Sequence, residues 1–294
     1  MKPAALEKLL FIVNPRSGVL KKQNVPALIE QYIDRKKFEV EIQFTAYAGH
    51  ARELAAQAVK ANFDAVIAVG GDGSINEIGS SLVGTSVALG ILPMGSGNGL
   101  ARHLGIPLVI PQAIQRINQF NCKTIDTAKA NEHYFFSMCG IGFDGFIANQ
   151  FQLQKKRGIF TYLKLSAYHY FRYKPSTYTI CIDGQTRNEK AFIIAIANSN
   201  QFGSNFKIAP HADLQDGLLH CCIVKPITLL KGLPLVWKGF NGQLKTNSSI
   251  AIIDCKTVVL DANGDQYFHL DGEPMKPQES IRIEVVPHSL KVVA

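Results

Sequence analysis

Long apolar runs are missing from this chain, and no window approaches the roughly 18 consecutive apolar residues that a membrane-spanning helix needs. The apolar stretch near the start, Leu9–Val13, is too short for a signal peptide and runs straight into a turn. The six cysteines form no CxxC pair and no Cys/His spacing suited to zinc, so a redox motif and a structural zinc site are both excluded. Cys221 and Cys222 are adjacent in an apolar run, one thiol to each strand face, which predicts reduced, packed cysteines in a cytoplasmic protein. Acidic residues are also short, 23 against 31 basic, and the net charge of +8 suits anionic partners. The basic residues are scattered and no nucleic-acid-binding module is present, so nucleic acid is not an expected partner. Repeats and low-complexity segments are absent. What is there is a chain of 294 residues, 47% hydrophobic and 18% charged, enough for sizeable cores in one or two domains.

The first part alternates strand and helix signals. Leu9–Val13 (LLFIV), Ala65–Val69 (AVIAV) and Val87–Leu92 are continuous apolar runs, as expected for strands buried on both faces. Phe38, Val40, Ile42 and Phe44 alternate with polar residues, a half-exposed strand. Between them, apolar residues recur at helical spacing at Val25, Leu28, Ile29, Tyr32 and Ile33, at Ala51, Leu54, Ala55 and Ala58, and at Ala113, Ile114, Ile117 and Phe120. This predicts an α/β domain with a mostly parallel sheet over residues 1–122. From about Cys122 the rhythm changes. CKTIDTAKA and HYFFSMCG flank Asn131-Glu132 as a hairpin would, and STYTICI and AFIIAIA flank an Asp183-Gly184 turn. Helices are expected around Phe143–Leu153, Ile159–Phe171 and Thr228–Leu244, with strands at Leu218–Val224, Ile250–Ile253, Thr257–Leu260, Tyr267–Leu270 and Ile281–Val286. An antiparallel β-sandwich over residues 123–294 follows, its last strand free to return to the first domain.

The chemistry is carried by where the glycines fall. Gly70-Gly71-Asp72-Gly73 and Gly95-Ser96-Gly97 each follow a buried strand and precede a helix, and Asn14-Pro15-Arg16-Ser17-Gly18 holds the same position after the first strand. Open α/β sheets bind ligands at that end, where glycine admits phosphate oxygens close to backbone N–H groups at helix N-termini. Three such loops at one edge suit a polyphosphate. Asp72, between glycines, is placed to hold Mg²⁺ or orient an attacking hydroxyl, or else to cap the following helix. Glu77 follows in the first turns of that helix, where it can bond a ligand or complement the dipole. No lysine follows the glycines, which excludes a GxxxxGK[ST] loop, and HRD and DFG are missing, which excludes an ordinary protein kinase.

Asn14–Gly18, Gly70-Gly71-Asp72-Gly73-Ser74-Ile75-Asn76-Glu77, Pro93-Met94-Gly95-Ser96-Gly97-Asn98, Asp213-Leu214-Gln215-Asp216-Gly217-Leu218 and Asp271-Gly272-Glu273-Pro274 occur in this order along nearly the whole chain. The series resembles the successive motifs of the diacylglycerol kinase catalytic family, which includes soluble bacterial lipid kinases and sphingosine and ceramide kinases. The resemblance implies transfer of the γ-phosphate of ATP to a lipid hydroxyl. Asn14, Pro15, Arg16, Ser17, Gly18, Thr45, Gly70, Gly71, Asp72, Gly73, Ser74, Ile75, Asn76, Glu77, Gly95, Ser96 and Asn98 would contact ATP. Asp213, Asp216 and the carbonyl of Leu218 would hold a structural Mg²⁺ through the oxygen ligands that this ion prefers. Asp271 or Glu273 would take the hydroxyl proton. Without the resemblance, Asp213 and Asp216 are turn residues before a strand and Asp271 and Glu273 hairpin residues.

Two departures bear on the acceptor. Bacterial diacylglycerol kinases carry Asp directly after the Asn of the third motif, whereas here Gly99 makes GSGNGLA similar to the GSGNALA of sphingosine and ceramide kinases. The acidic residue with which sphingosine kinases meet the substrate amine has no clear counterpart, Asp144 being nearby but offset. The expected partner is a lipid at a membrane surface, reached by peripheral contact from the cytoplasmic side, and a homodimer is compatible with the sequence. Lys155-Lys156-Arg157 before an aromatic helix, and a second apolar helix with the single tryptophan, Trp237, are the segments suited to that contact. The alternatives are an NAD kinase, which shares GGDG, and a non-catalytic lipid-binding protein of the same fold.

Overall fold

The computed structural model describes residues 6–16, 24–154, 159–203, 205–261 and 267–294. The chain divides into two compact units, one of residues 1–125 with 288–294 and one of residues 126–287.

The first unit contains β1 (Glu7–Val13), α1 (Val25–Tyr32), β2 (Phe38–Phe44), α2 (His50–Lys60), β3 (Ala65–Gly70), α3 (Asp72–Leu82), β4 (Ala88–Pro93), α4 (Gly99–His103) and α5 (Ile110–Gln119). Its strands are parallel in the order β2-β1-β3-β4. Apolar β3 and β4 are buried along their whole length, while β2 alternates because it lies at the edge. Right-handed crossovers from β1 out to β2 and from β2 back to β3 send α1 and α2 to opposite faces of the sheet. Accordingly α2 packs on α3, and α1 on α5. The strand order reverses between β1 and β3, so the loops after those strands diverge and leave a crevice at the carboxyl edge.

The second unit contains β5 (Cys122–Ala130, entering from the first), β6 (His133–Phe135), β7 (Met138–Gly142), α6 (Phe143–Gln152), α7 (Ile159–Tyr170), β8 (Ser176–Ile182), β9 (Gln185–Ala191), β10 (Ile193–Ala197), β11 (Gln201–Gly203), β12 (Phe206–Lys207), β13 (Leu219–Val224), α8 (Leu229–Phe240), β14 (Ile250–Cys255), β15 (Thr257–Asp261), β16 (Phe268–Leu270), β17 (Glu273–Met275) and β18 (Ser280–Val293). One antiparallel sheet runs β14-β13-β10-β7-β16-β17, and a second joins β18, β15, β8 and β9. Phe135, Ile141, Ile180, Ile194, Cys221, Leu260, Phe268 and Ile281 form one core between them, which makes the unit a sandwich. The end of β18 counts with the first unit, where Val292 pairs in parallel with Leu89.

Two expected hairpins are redrawn. Asp183 and Gly184 both have positive φ, 45° and 83°, as a two-residue type I′ turn requires. The returning strand is the polar QTRNEKA of β9, however, and IIAIA forms β10 in the other sheet. An edge strand tolerates polar side chains, whereas an all-apolar run has to lie at the centre of a sheet. HYFFSMCG is likewise not one strand. β6 pairs with β5, and after Phe136 and Ser137 the chain enters β7 in the other sheet.

Candidate active site

At the carboxyl edge of the first unit, the loops after β1, β3 and β4 are laced together. Asn14 Oδ1 accepts from Arg16 N (2.9 Å), and Asn14 Nδ2 donates to Ser74 Oγ (3.2 Å), tying the first loop to the second. Met94 N donates to Gly70 O (2.7 Å). A Cβ on Gly95 would lie 2.6 Å from Gly71 Cα, and one on Gly97 would lie 2.6 Å from Asp72 Oδ2. These glycines are therefore demanded first by loop–loop contact, before any ligand arrives.

Asp72 joins the second loop to the third. Its Oδ2 accepts from Asn98 N (2.9 Å) and its Oδ1 from Gly99 N (2.8 Å), so it caps α4, not α3, and both oxygens are engaged without a metal. Asn98, buried and left-handed at φ 53°, turns its amide back on Gly95, accepting from its N–H (2.9 Å) and donating to its carbonyl (2.8 Å). The Ile75 side chain is buried in the core, and Glu77 accepts from Gly49 N (3.1 Å), fastening the start of α2. Asn98, Ile75 and Glu77 thus shape the site from behind. α3 starts at Gly71 with no side-chain cap, and Gly73 and exposed Ser96 stand at the loop surfaces. Pro15 and Arg16 are exposed on the first loop, and Thr45, at the end of β2, donates its N–H to Val13 O (2.9 Å). Ser17 and Gly18 lie outside the described residues. An apolar cleft of about 630 Å³ opens beside Pro93 and Met94, between α1 and the segment before α5.

In the second unit two turns carry the predicted carboxylates. Asp271, at φ 50°, accepts N–H bonds from Phe136 (2.9 Å), Ser137 (2.7 Å) and Met138 (3.1 Å). This is where the chain leaves β6 for β7, and the carboxylate satisfies the N–H groups released there. Glu273, two residues on at the start of β17, is exposed.

Asp213 and Asp216 are exposed, and each spends Oδ1 on a backbone N–H two residues ahead, Gln215 (3.0 Å) and Leu218 (2.9 Å). They are turn residues by geometry. Asp126, which sequence reasoning missed, lies fully buried beneath this turn, accepting from Gly217 N (2.7 Å). Asn198, missed as well, donates to the carbonyls of Asp126 (3.1 Å) and Phe136 (3.0 Å), linking the two turns. Its buried Oδ1 has no partner among the described residues. Asp213, Asp216 and the Leu218 carbonyl supply oxygen donors of the kind Mg²⁺ takes, one or two carboxylates with several waters. No group of three His, Cys, Asp or Glu side chains suited to a metal occurs among the described residues.

Behind the Asp271 turn lies a buried polar chain. His269 Nε2 meets Asp144 Oδ2 at 2.5 Å, and Tyr162 donates its hydroxyl to Asp144 Oδ1 (2.5 Å). Gly272 N donates to His269 Nδ1 (3.1 Å), which makes that nitrogen the acceptor and puts the ring proton on Nε2. Burial, and then the Asp144 charge, push the Tyr162 hydroxyl well above the ordinary phenol range, so it stays a donor. Gly140 makes room for the pair, since a Cβ there would lie 2.2 Å from Asp144 Oδ2. Asp144 is 2% exposed and committed to two partners.

The model of the diacylglycerol kinase catalytic domain matches residues 8–130, and that of the YegS C-terminal NAD kinase beta sandwich-like domain matches residues 138–294. The chain belongs to the diacylglycerol kinase catalytic family. Among curated relatives, "Probable lipid kinase YegS" of Salmonella heidelberg is 30% identical over 262 residues, 86% of this chain and 85% of its own. "Probable lipid kinase YegS-like" of Yersinia pestis is 31% identical over 260 residues, 85% of each chain. A crystal structure of a diacylglycerol kinase from Bacillus anthracis has the same fold, with a TM-score of 0.75 at 22% identity, over 98% of this chain and 96% of that one. Within this family the chain has the α/β catalytic unit and the sandwich, and Gly99 offers only its N–H, to Asp72.

Proposed function

We propose that the protein transfers the γ-phosphoryl group of ATP, with Mg²⁺, to a hydroxyl of a membrane lipid, a neutral alcohol of the diacylglycerol type in preference to a sphingoid base. The observation that carries this reading is the division of labour at Asp271-Gly272-Glu273. Three backbone N–H bonds occupy the Asp271 carboxylate, and Glu273 is exposed. Glu273 is therefore assigned as the general base and Asp271 as the residue that positions it. The preference for a neutral acceptor rests on Asp144, whose carboxylate is spent on His269 and Tyr162.

In the first unit, backbone N–H groups at the uncapped start of α3 and those of Ser96 and Gly97 are assigned to the phosphates, with Arg16 supplying positive charge. Asp72 keeps the third loop against the second, so these donors are in place before ATP binds. Asp213, Asp216 and the Leu218 carbonyl would hold a structural Mg²⁺ within the second unit, fixing the turn before β13. Glu273 is assigned to accept the proton of the lipid hydroxyl as its oxygen bonds to the γ-phosphorus and the bond from that phosphorus to the β,γ-bridging oxygen breaks, releasing ADP.

The test is label transfer from γ-labelled ATP to diacylglycerol, monoacylglycerol, sphingoid bases and ceramide in mixed micelles, with NAD as a soluble control. Label in diacylglycerol, lost in Glu273→Gln, supports the reading. Label in a sphingoid base would overturn the acceptor preference, and label in NAD alone would overturn lipid transfer.

A further inference from the structure

Helix α8 is amphipathic in the wrong sense for a helix that belongs only to a core. Its inner face is small. A Cβ on Gly239 would lie 2.3 Å from the Phe206 ring, and Leu235 packs on the outer layer of the sandwich beside Ile208, Cys222 and Leu244. The opposite face is large and bare. Leu230 is 83% exposed, Leu233 63% and Trp237 62%, a stripe at i, i+3 and i+7, while Phe240 packs edge-on against Phe206. Scattered exposed apolar side chains need no explanation, but a contiguous row of this size on one helix does.

The charge around the stripe says what covers it. From Lys225 to Ser249 the chain has four lysines, Lys225, Lys231, Lys238 and Lys245, and no acidic residue. Lys231 and Lys238 are exposed, two helical turns apart, and flank the apolar row on one side. A second copy of this chain would bring lysine against lysine with no carboxylate between them. An anionic bilayer surface offers both what the leucines and tryptophan need and what the lysines need. Pro234 sets the depth. It has no N–H, so the carbonyl of Leu230 loses its helical donor and requires water, which is available among headgroups but not among acyl chains.

We propose that α8 lies in the headgroup layer of an anionic membrane, with Leu230, Leu233 and Trp237 inserted and Lys231 and Lys238 on lipid phosphates. This rests on the lipid-kinase reading and names the surface through which the enzyme meets its substrate's membrane. Tyr170, near the end of α7, donates its hydroxyl to Ile227 O (2.6 Å), so α7 and the start of α8 are joined, and α7 serves as the comparison.

Trp237 is the only tryptophan of the chain, so its fluorescence reports α8 alone. The experiment titrates the whole protein with vesicles of phosphatidylglycerol in phosphatidylcholine. A blue shift and protection from acrylamide are expected, weakening as salt rises. Leu230→Ser with Leu233→Ser should weaken partitioning by about tenfold or more, and Lys231→Gln with Lys238→Gln by about fivefold per lysine. Both double variants change exposed positions and should keep turnover on a dispersed short-chain acceptor. Sedimentation with vesicles while Trp237 emission stays unchanged would overturn the proposal. So would loss of binding in Phe160→Ser on α7 but not in the α8 variants, or a blue shift that follows protein concentration without vesicles, which would assign the face to a second copy. Because fluorescence needs no turnover, a shift without label transfer to any acceptor would leave the docking surface standing and remove the kinase reading.

Discussion

Replacing Asp72 separates two roles that are easily confused. A residue between glycines after a strand is readily taken for a metal ligand, yet both of its oxygens accept backbone N–H groups of the next loop, at 2.9 and 2.8 Å. A hydrogen bond to a charged group contributes about 1.5–3 kcal/mol, and removing an N-cap costs about 0.5–2 kcal/mol. Asp72→Asn keeps one acceptor oxygen but sets an NH₂ group against a backbone N–H, so about one such bond is lost and destabilisation of about 2 kcal/mol follows. Asp72→Ala removes both acceptors and should cost about 3 kcal/mol, or more if water cannot replace them. At about 2–4 °C per kcal/mol, the Asn variant should melt about 4–8 °C below the parent. Thermal unfolding and urea titration, run beside the phosphoryl-transfer assay, read both consequences. Activity should fall together with stability, because the third loop loosens. An Asn variant as stable as the parent but inactive would refute the capping argument and return Asp72 to direct contact with the nucleotide or metal.

Other outcomes follow from the same geometry. Glu273→Gln should lower kcat by about 10²–10⁴ with an unchanged melting temperature, whereas Asp271→Ala should destabilise the second unit by about 3 kcal/mol, since three backbone N–H groups lose their acceptor; equal melting temperatures for the two variants would contradict the assignment. Gly95→Ala sets a methyl 2.6 Å from Gly71 Cα, a backbone atom that cannot swing away, and should cost about 1–3 kcal/mol and impair ATP binding, measured by calorimetry. Burial raises the thiols of Cys139, Cys221, Cys222 and Cys255, the last to about 12. The unfolded chain then loses these protons at lower pH than the folded one, so stability is unaffected below about pH 8.5 and falls as pH rises above it, by up to about 1.4 kcal/mol per pH unit for each thiol. Denaturation midpoints between pH 7 and 10.5 check this, and a flat profile would contradict the burial.

The parallel sheet of the first unit was legible because continuous apolar runs and helical stripes alternate, and burial on both faces leaves little other arrangement for them. The turn at Asp183-Gly184 was legible from its two residues, but its partner strand was not, since pairing is decided by which strand finds the sheet centre. The loops were legible as a set, but the bonds that lace them together were not. Sequence places Asp72 between glycines but cannot show that the N–H groups nearest its oxygens come 26 and 27 residues later, from Asn98 and Gly99. Asp126 and Asn198 gave no signal at all, for an Asp and an Asn in strand-like runs become significant only when folding brings a turn some 90 residues away, or a neighbouring strand, against them. What the sequence determined by itself was the local menu: which segments are strands and helices, where backbone can bend, and which family's motifs recur in order. What only the tertiary structure decided was which polar atoms are already satisfied. That choice fastens Asp271 to the turn between β6 and β7 and buries Asp144 against His269 and Tyr162, because hydrogen bonds between distant segments are set by packing and leave no periodic trace in the chain.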